Sequence, residues 1–254
     1  MIDFSGRVVL VTGASKGIGA ATAKLFAALG ASVGVHYKAD ERGARRVCDE
    51  IAATGRGRAA PLAADLERWD AAGELCAATE TLLGPLDHLV INHGIWKTAP
   101  IDRMTQADYD EMLSINVRSA FALCGAAARA LVSSSRRGSL VLVSSTAGQR
   151  GEARHSHYAA SKGAVQSLTK SLAAELAPAG IRVNCVAPGW VETPMTRPTL
   201  ADATAHARIV ATIPLARVGR PEEIAQAIAF LASDAASFMT GEILNVNGGA
   251  VLCG

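Results

Sequence analysis

Aromatic residues are scarce: Phe, Tyr and Trp make up 4% of the 254 residues, against 50% for hydrophobic residues as a whole. The core must therefore come from Ala, Val, Leu and Ile, which suits helices packed closely on a parallel sheet. An excess of one charge is also lacking. A net charge of +2 gives no reason to expect nucleic acid or an acidic membrane surface as partner. The five cysteines (Cys48, Cys76, Cys124, Cys185, Cys253) are scattered, odd in number and without metal-ligand spacing. Free thiols in a reducing cytoplasm are expected, with no metal site. No basic stretch followed by an apolar run opens the chain, so no signal peptide is expected. The longest Ala-rich region, Phe121 to Val132, is short and carries Gly125 and Arg129, so no membrane span is expected. Linkers, repeats and low-complexity segments are missing too, which predicts one domain over residues 1–254.

What is present is alternation. Strand-like runs at Arg7 to Thr12, Ser32 to Tyr37, Arg58 to Ala63, Asp87 to Asn92, Ser139 to Ser144, Ile181 to Ala187 and Glu242 to Val246 are separated by helical spacing. Helices are expected at Gly17 to Leu29, Glu41 to Thr54, Asp70 to Leu83, Ser156 to Leu176 and Pro221 to Ala232, with two more between Thr105 and Val132. The pattern predicts an α/β, doubly wound Rossmann-type domain, a parallel sheet with helices on both faces. Ligands then bind at the carboxyl ends of the strands. Val191 to Val218 reads as irregular and proline-containing, and residues 191–211 are a candidate substrate lid.

The first strand runs into Thr12-Gly13-Ala14-Ser15-Lys16-Gly17-Ile18-Gly19. Glycines there permit a tight turn and close approach of the backbone to a pyrophosphate, and the following helix presents amide donors. The second strand ends His36-Tyr37-Lys38, with no acid to hold an adenosine ribose. Cations at Lys16 and Lys38 favour NADP(H) over NAD(H), with NAD(H) still admissible.

Tyr158 and Lys162 stand four apart in a helical segment and share a face. A free tyrosine titrates near ~10, so proton exchange near neutrality needs a drop of about three pH units, or roughly 4 kcal/mol. A neighbouring ammonium can supply much of that. Such a pair alone is weak evidence, since a solvent-facing pair is the commoner explanation. The ordered set Thr12 to Gly19, Asn116, Ser145, Tyr158 and Lys162 resembles the short-chain dehydrogenase/reductase family across essentially the whole chain. Asp65, Asn92 with Gly94, Pro188-Gly189 and Gly248-Gly249 belong to the same resemblance.

The resemblance implies Tyr158 as proton donor and acceptor, Lys162 as its partner and a ribose ligand, Ser145 as the group that polarises the carbonyl, and Asn116 as holder of a relay water. It implies Asp65 and Leu66 at the adenine, Asn92, Gly94, Pro188 and Gly189 along the cofactor cleft, and Val191 and Thr193 at the carboxamide. A homotetramer is implied as well, with Thr105 to Val132 and Ser156 to Leu176 between subunits. The expected activity is hydride transfer between the nicotinamide and a carbonyl or secondary alcohol.

Departures bear on substrate. The family's usual Asn-Asn-Ala-Gly stands here as Ile91-Asn92-His93-Gly94. His93 could stack near the cofactor, cap a turn or relay a proton. His155 and His157 read as exposed loop histidines or as substrate contacts, and Trp96 and Trp190 as pocket lining or as packing beneath a loop. Among relatives the chain looks most like 3-oxoacyl-acyl-carrier-protein reductases. Arg136 matches one basic position that docks the acidic carrier in that group, unless it is a solvated turn, while Ala179 lacks the second. A small ketone, sugar or other alcohol is the alternative substrate. A non-catalytic cofactor-binding regulator is the remaining reading, and the presence of both Tyr158 and Lys162 argues against it.

Overall fold

The computed structural model describes residues 2–252; Cys253 lies outside them. Seven strands form one sheet: β1 (Val8–Val11), β2 (Ser32–Tyr37), β3 (Arg58–Ala63), β4 (His88–Ile91), β5 (Gly138–Val143), β6 (Ile181–Pro188) and β7 (Ile243–Val246). Their order is β3-β2-β1-β4-β5-β6-β7 and every pairing is parallel. The helices are α1 (Gly17–Ala28), α2 (Glu41–Ala53), α3 (Ala71–Leu83), α4 (Gln106–Leu113), α5 (Ser119–Ser133), α6 (Ala147–Arg150), α7 (Ser156–Leu176), α8 (Arg197–Leu200), α9 (Ala203–Ala211) and α10 (Pro221–Ala232).

Residue alternation along the central strands explains the two helical layers. Val8 and Leu10 point into one core with Leu75 of α3, Leu123 of α5 and Val165 of α7. Val9 and Val11 point into the other with Phe26 of α1, Val47 of α2 and Ile228 of α10. A strand buried on both faces needs apolar residues at every position, and Val8–Val11 supplies them. Small Ala side chains let α1 and α5 lie close to the sheet, so few aromatics are needed.

The two helices expected between Thr105 and Val132 are one continuous helical run, Gln106–Ser133. The join is a π-helical turn at Ser114–Arg118. Its Ser-Ile-Asn-Val-Arg sequence holds weak helix formers, which makes an extra residue in the turn cheap. Nor do Gly125 and Arg129 interrupt it. By length and composition the run is apolar enough to cross a membrane, yet half of its apolar window is buried inside the fold. The stretch expected to be irregular is also mostly ordered, because α8 and α9 occupy much of it.

At the amino ends of the strands, buried Asp87 accepts from the Val8 amide (2.9 Å) and from Arg7 (3.3 Å) and Arg136 (2.5 Å). Arg136 is therefore a structural partner of Asp87 and not a solvated turn residue. Asp87→Ala would leave the Val8 amide and two guanidinium groups without their acceptor. A loss of about 2 kcal/mol in unfolding free energy is expected from urea denaturation.

Candidate active site

The sheet reverses its winding between β1 and β4, and the cleft opens there, at the carboxyl ends of the strands. Gly13, Ser15, Lys16, Gly17, Ile18, Asn92, Gly94, Ser145, Tyr158, Lys162, Pro188, Gly189, Val191 and Thr193 all line it, as the sequence led us to expect. Ile95, Val143 and Ser144 line it too, unmarked by sequence reasoning, together with Pro194, Met195 and Thr196 of the stretch expected to act as a lid.

The glycine turn is held from below. Asn92 Nδ2 donates to the carbonyls of Thr12 (3.0 Å) and Gly13 (3.2 Å). A Cβ on Gly19 would lie 2.3 Å from the Gly13 oxygen and 2.6 Å from Asn92 Nδ2, so only glycine fits. Gly13 adopts φ +62° and Gly17 φ +57°, in the left-handed region. The next helix starts with its amides free. Asp40, Thr105 and Asp202 cap α2, α4 and α9, whereas Lys16 gives α1 no side-chain cap. Uncapped donors beside a cradle that a Cβ would fill suit the pyrophosphate of a dinucleotide.

Two histidines brace this turn. Buried His36 accepts the Gly13 amide at Nδ1 (3.0 Å) and faces the Ala64 carbonyl through Nε2 (3.1 Å), so it carries its proton on Nε2. Nothing in the sequence marked His36; a histidine inside a strand reads as an ordinary core position. His93 lines the cleft and is engaged through both ring nitrogens. Its Nδ1 lies 2.8 Å from the Thr12 hydroxyl and its Nε2 lies 2.7 Å from the Ser119 hydroxyl. It thus ties the glycine turn to the first residue of α5.

At the adenosine end, Lys38 is not the free cation expected from the sequence. Asp65 sits 3.0 Å from its ammonium and Glu67 bonds it as well. The strand ends of β2 and β3 run side by side, which brings these charges together. Leu66 is buried against the core and does not line the cleft.

The reacting end is built by β5, α7 and the π turn. Buried Asn116, in the π turn, accepts the Ile95 amide (2.9 Å) and donates to the Ile95 carbonyl (3.0 Å) and the Ser161 hydroxyl (3.1 Å). A Cβ on Gly94 would lie 3.0 Å from Asn116 Oδ1 and 3.5 Å from Lys162 Nζ, so this glycine keeps the space between those two groups open. Lys162 is buried, and its ammonium donates to the Val143 carbonyl at 2.9 Å. Burial lowers its pKa to about 8. The Tyr158 ring centroid is 5.8 Å from that ammonium. Burial pushes Tyr158 up to about 12, against a hydrogen bond with Ser145 that acts downward. The lowering expected from the helical Tyr–Lys spacing is not present in this arrangement, because burial of the hydroxyl outweighs it. Gln166 donates to Ser144 Oγ (3.0 Å) and to the Ser145 carbonyl (3.1 Å) and so holds the serine segment.

His155 and His157 are not exposed loop residues. His157 is buried in the first turn of α7, and His155 stacks on Trp96. Trp96 and Trp190 meet edge to face, and neither is among the residues that line the cleft.

Such a site, a glycine-turn dinucleotide cradle facing a Ser–Tyr–Lys group on a doubly wound sheet, defines a nicotinamide-dependent oxidoreductase. A family model described as Enoyl-(Acyl carrier protein) reductase matches residues 13–251. The 3-oxoacyl-[acyl-carrier-protein] reductase FabG of Escherichia coli is 39% identical over 248 residues, 98% of each chain. The 3beta-hydroxysteroid dehydrogenase 1 of Eggerthella lenta is 39% identical over 250 residues, covering 98% of this chain and 95% of its own. An Agrobacterium tumefaciens protein, provisionally assigned as a 2-deoxy-d-gluconate 3-dehydrogenase and solved with bound NADP, superposes with a TM-score of 0.90 at 38% identity, over 98% of this chain and 97% of its own. The chain belongs to the short-chain dehydrogenase/reductase family, and it is an oxidoreductase acting between alcohols and carbonyls with a nicotinamide dinucleotide.

Burial holds His36 near 4 and His93 near 3, well below the ordinary 6.5. The neighbouring His36 and Lys162 charges press His93 further down. Both folded values lie below the unfolded one, so the unfolded chain takes up protons first as pH falls. Stability is therefore full above about pH 6.5 and is lost as pH falls towards 4. Each histidine is expected to cost about 2–3 kcal/mol by pH 4.5. Melting temperatures measured from pH 8 to 4.5 should fall steeply below pH 6.5, and less steeply for His93→Ala.

Proposed function

We propose that the protein interconverts a carbonyl and a secondary alcohol with NADP(H), using Tyr158, Ser145, Lys162 and Asn116. The observation that carries this reading is the convergence of Ser145, Tyr158 and Lys162 on the same cleft as the glycine turn. When bound, the nicotinamide dinucleotide supplies or accepts the hydride. Gly13, Ser15, Lys16, Gly17, Ile18 and Gly19 hold its pyrophosphate side, Asn92 and Gly94 its middle, and Pro188, Gly189, Val191 and Thr193 its nicotinamide side. Asp65 and Lys38 mark the adenosine side.

Tyr158 keeps its proton at neutral pH, which suits donation from Oη to a forming alkoxide, the direction of reduction. Ser145 orients the substrate oxygen towards the same hydroxyl. Lys162 leaves Val143 to bind the cofactor ribose and so comes to bear on Tyr158. The open space beside Gly94, between Asn116 and Lys162, has room for the relay water. Residues 191–211 serve as the lid, with Met195 and Thr196 facing the cleft. The protein works as a cytoplasmic homotetramer; free Cys76, Cys124 and Cys185 suit a reducing compartment, and exposed Tyr109 and Phe121 on the long helix suit burial between subunits.

A 3-oxoacyl thioester is the second reading, favoured by the identity to the Escherichia coli reductase. Against it, Arg136 is held by Asp87 and Ala179 carries no charge. A thioester reduced faster than any small ketone would reverse this order.

Tyr158→Phe should lower kcat by at least about 10³-fold while the Kd for cofactor changes less than about threefold. Substantial retained turnover would sink the proton-transfer role. NADPH should bind more tightly than NADH, through Lys16. Fluorescence titration with both nucleotides, in the wild type and in Lys16→Ala, measures it; equal affinities in the wild type would refute the preference.

A further inference from the structure

Between the glycine turn and the reacting residues, the segment Val191 to Thr196 carries a hydroxyl network that the proton chemistry does not use. Val191, Thr193 and Thr196 line the cleft together with Ser145, Tyr158 and Lys162. A Cβ on Gly17 would lie 3.5 Å from Thr193 Cβ and 3.6 Å from Thr193 Cγ2, so the Thr193 methyl faces the start of α1. Its hydroxyl is turned to Thr196, and the two Oγ1 atoms are 3.2 Å apart.

Proton supply decides which of the two donates. A threonine hydroxyl has one proton and two lone pairs. Thr196 Oγ1 lies 2.5 Å from the Val191 carbonyl oxygen and 3.2 Å from the Thr193 carbonyl oxygen, and neither of those can donate. The shorter contact takes the proton. The Thr193 amide fills one lone pair of Thr196 Oγ1 at 3.0 Å. With its proton given to Val191, Thr196 can only accept from the Thr193 hydroxyl, through its second lone pair. The Thr193 proton therefore points at Thr196, and Thr193 Oγ1 is left as an acceptor. The Thr196 amide reaches that oxygen at 3.4 Å and has the Thr193 carbonyl closer, at 3.2 Å. A partly buried hydroxyl lining the cleft is thus set to receive an N–H donor.

The nicotinamide carboxamide carries such a donor in its NH2 group. A freely turning hydroxyl would present its proton to that group as often as its lone pair, and the proton repels it. We propose that Thr196 is a positioning residue that fixes the Thr193 hydroxyl as acceptor for the carboxamide NH2. This rests on the nicotinamide reading above and deepens it, because Thr196 acts on the cofactor through Thr193.

The test uses three ligands on the full chain: NADP⁺, its 3-acetylpyridine analogue, in which a methyl replaces the NH2, and 2′,5′-ADP, which lacks the nicotinamide end. Isothermal titration calorimetry gives each Kd without turnover. The wild type should bind NADP⁺ about fivefold more tightly than the acetylpyridine analogue. Thr196→Val keeps the shape and removes the hydroxyl. It should bring the two dinucleotides to within about twofold of each other and leave the Kd for 2′,5′-ADP within about twofold of wild type. Thr196→Ser should restore the wild-type ratio. In a Thr193→Val background, Thr196→Val should change the ratio no further, since both substitutions remove the same interaction. Equal binding of the two dinucleotides by the wild type overturns the proposal. So does a ratio unmoved by Thr196→Val, however much both weaken, or loss of 2′,5′-ADP binding in that variant, either of which makes the role of Thr196 merely structural. If the wild type binds none of the three ligands, the dinucleotide reading itself fails, and the proposal with it.

Discussion

The cross-link between the carboxyl ends of β1 and β4 governs the rest of the molecule. Asn92 bonds the Thr12 and Gly13 carbonyls, the Thr12 hydroxyl accepts the Asn92 amide at 3.0 Å, and His93 reaches back to that same hydroxyl. Two strands distant in sequence are thereby locked where the winding of the sheet reverses, and the glycine turn cannot drift from the cleft. Gly19 is part of the lock, because its missing side chain lets the start of α1 sit against the Gly13 carbonyl. From β4 the constraint passes through His93 and Ser119 to α5, and through Ile95 and Asn116 to the π turn. The glycine turn and the Ser145, Tyr158 and Lys162 group are thus attached to one small polar network, buried and almost fully satisfied, which makes it rigid.

That network also explains a choice of residue that looks odd in the sequence. Alanine at position 93 could not link Thr12 to Ser119. The histidine does so at the cost of burying an imidazole, and it is paired with His36 beneath the same turn, 6.3 Å away between ring centroids. Both remain neutral at ordinary pH because burial disfavours the imidazolium. The glycine turn thereby has fixed amide donors without a competing buried positive charge.

Much of this was legible beforehand. Periodicity placed every strand within a residue or two, and the glycine turn, Ser145, Tyr158 and Lys162 did converge. What was misread was decided by partners far away in sequence. Lys38 read as a free cation because Asp65 and Glu67 belong to the next strand-end. Arg136 read as a carrier-docking charge or a solvated turn because Asp87 is 49 residues away. His155 and His157 read as exposed because the stacking of Trp96 and the burial by neighbouring elements are invisible along the chain. The π turn was missed because one extra residue in a helix changes neither composition nor spacing enough to show.

By itself the sequence determined the doubly wound architecture, the glycine turn and the order of Ser145, Tyr158 and Lys162 along the chain. These depend on local periodicity and on residue types that only one backbone geometry accommodates. Only the tertiary structure decided the charge environment: Lys162 held on Val143, Tyr158 raised by burial, and Lys38 shared between two carboxylates. Burial and pairing are properties of three-dimensional neighbourhood, and electrostatic energies follow distance through space and not separation along the chain.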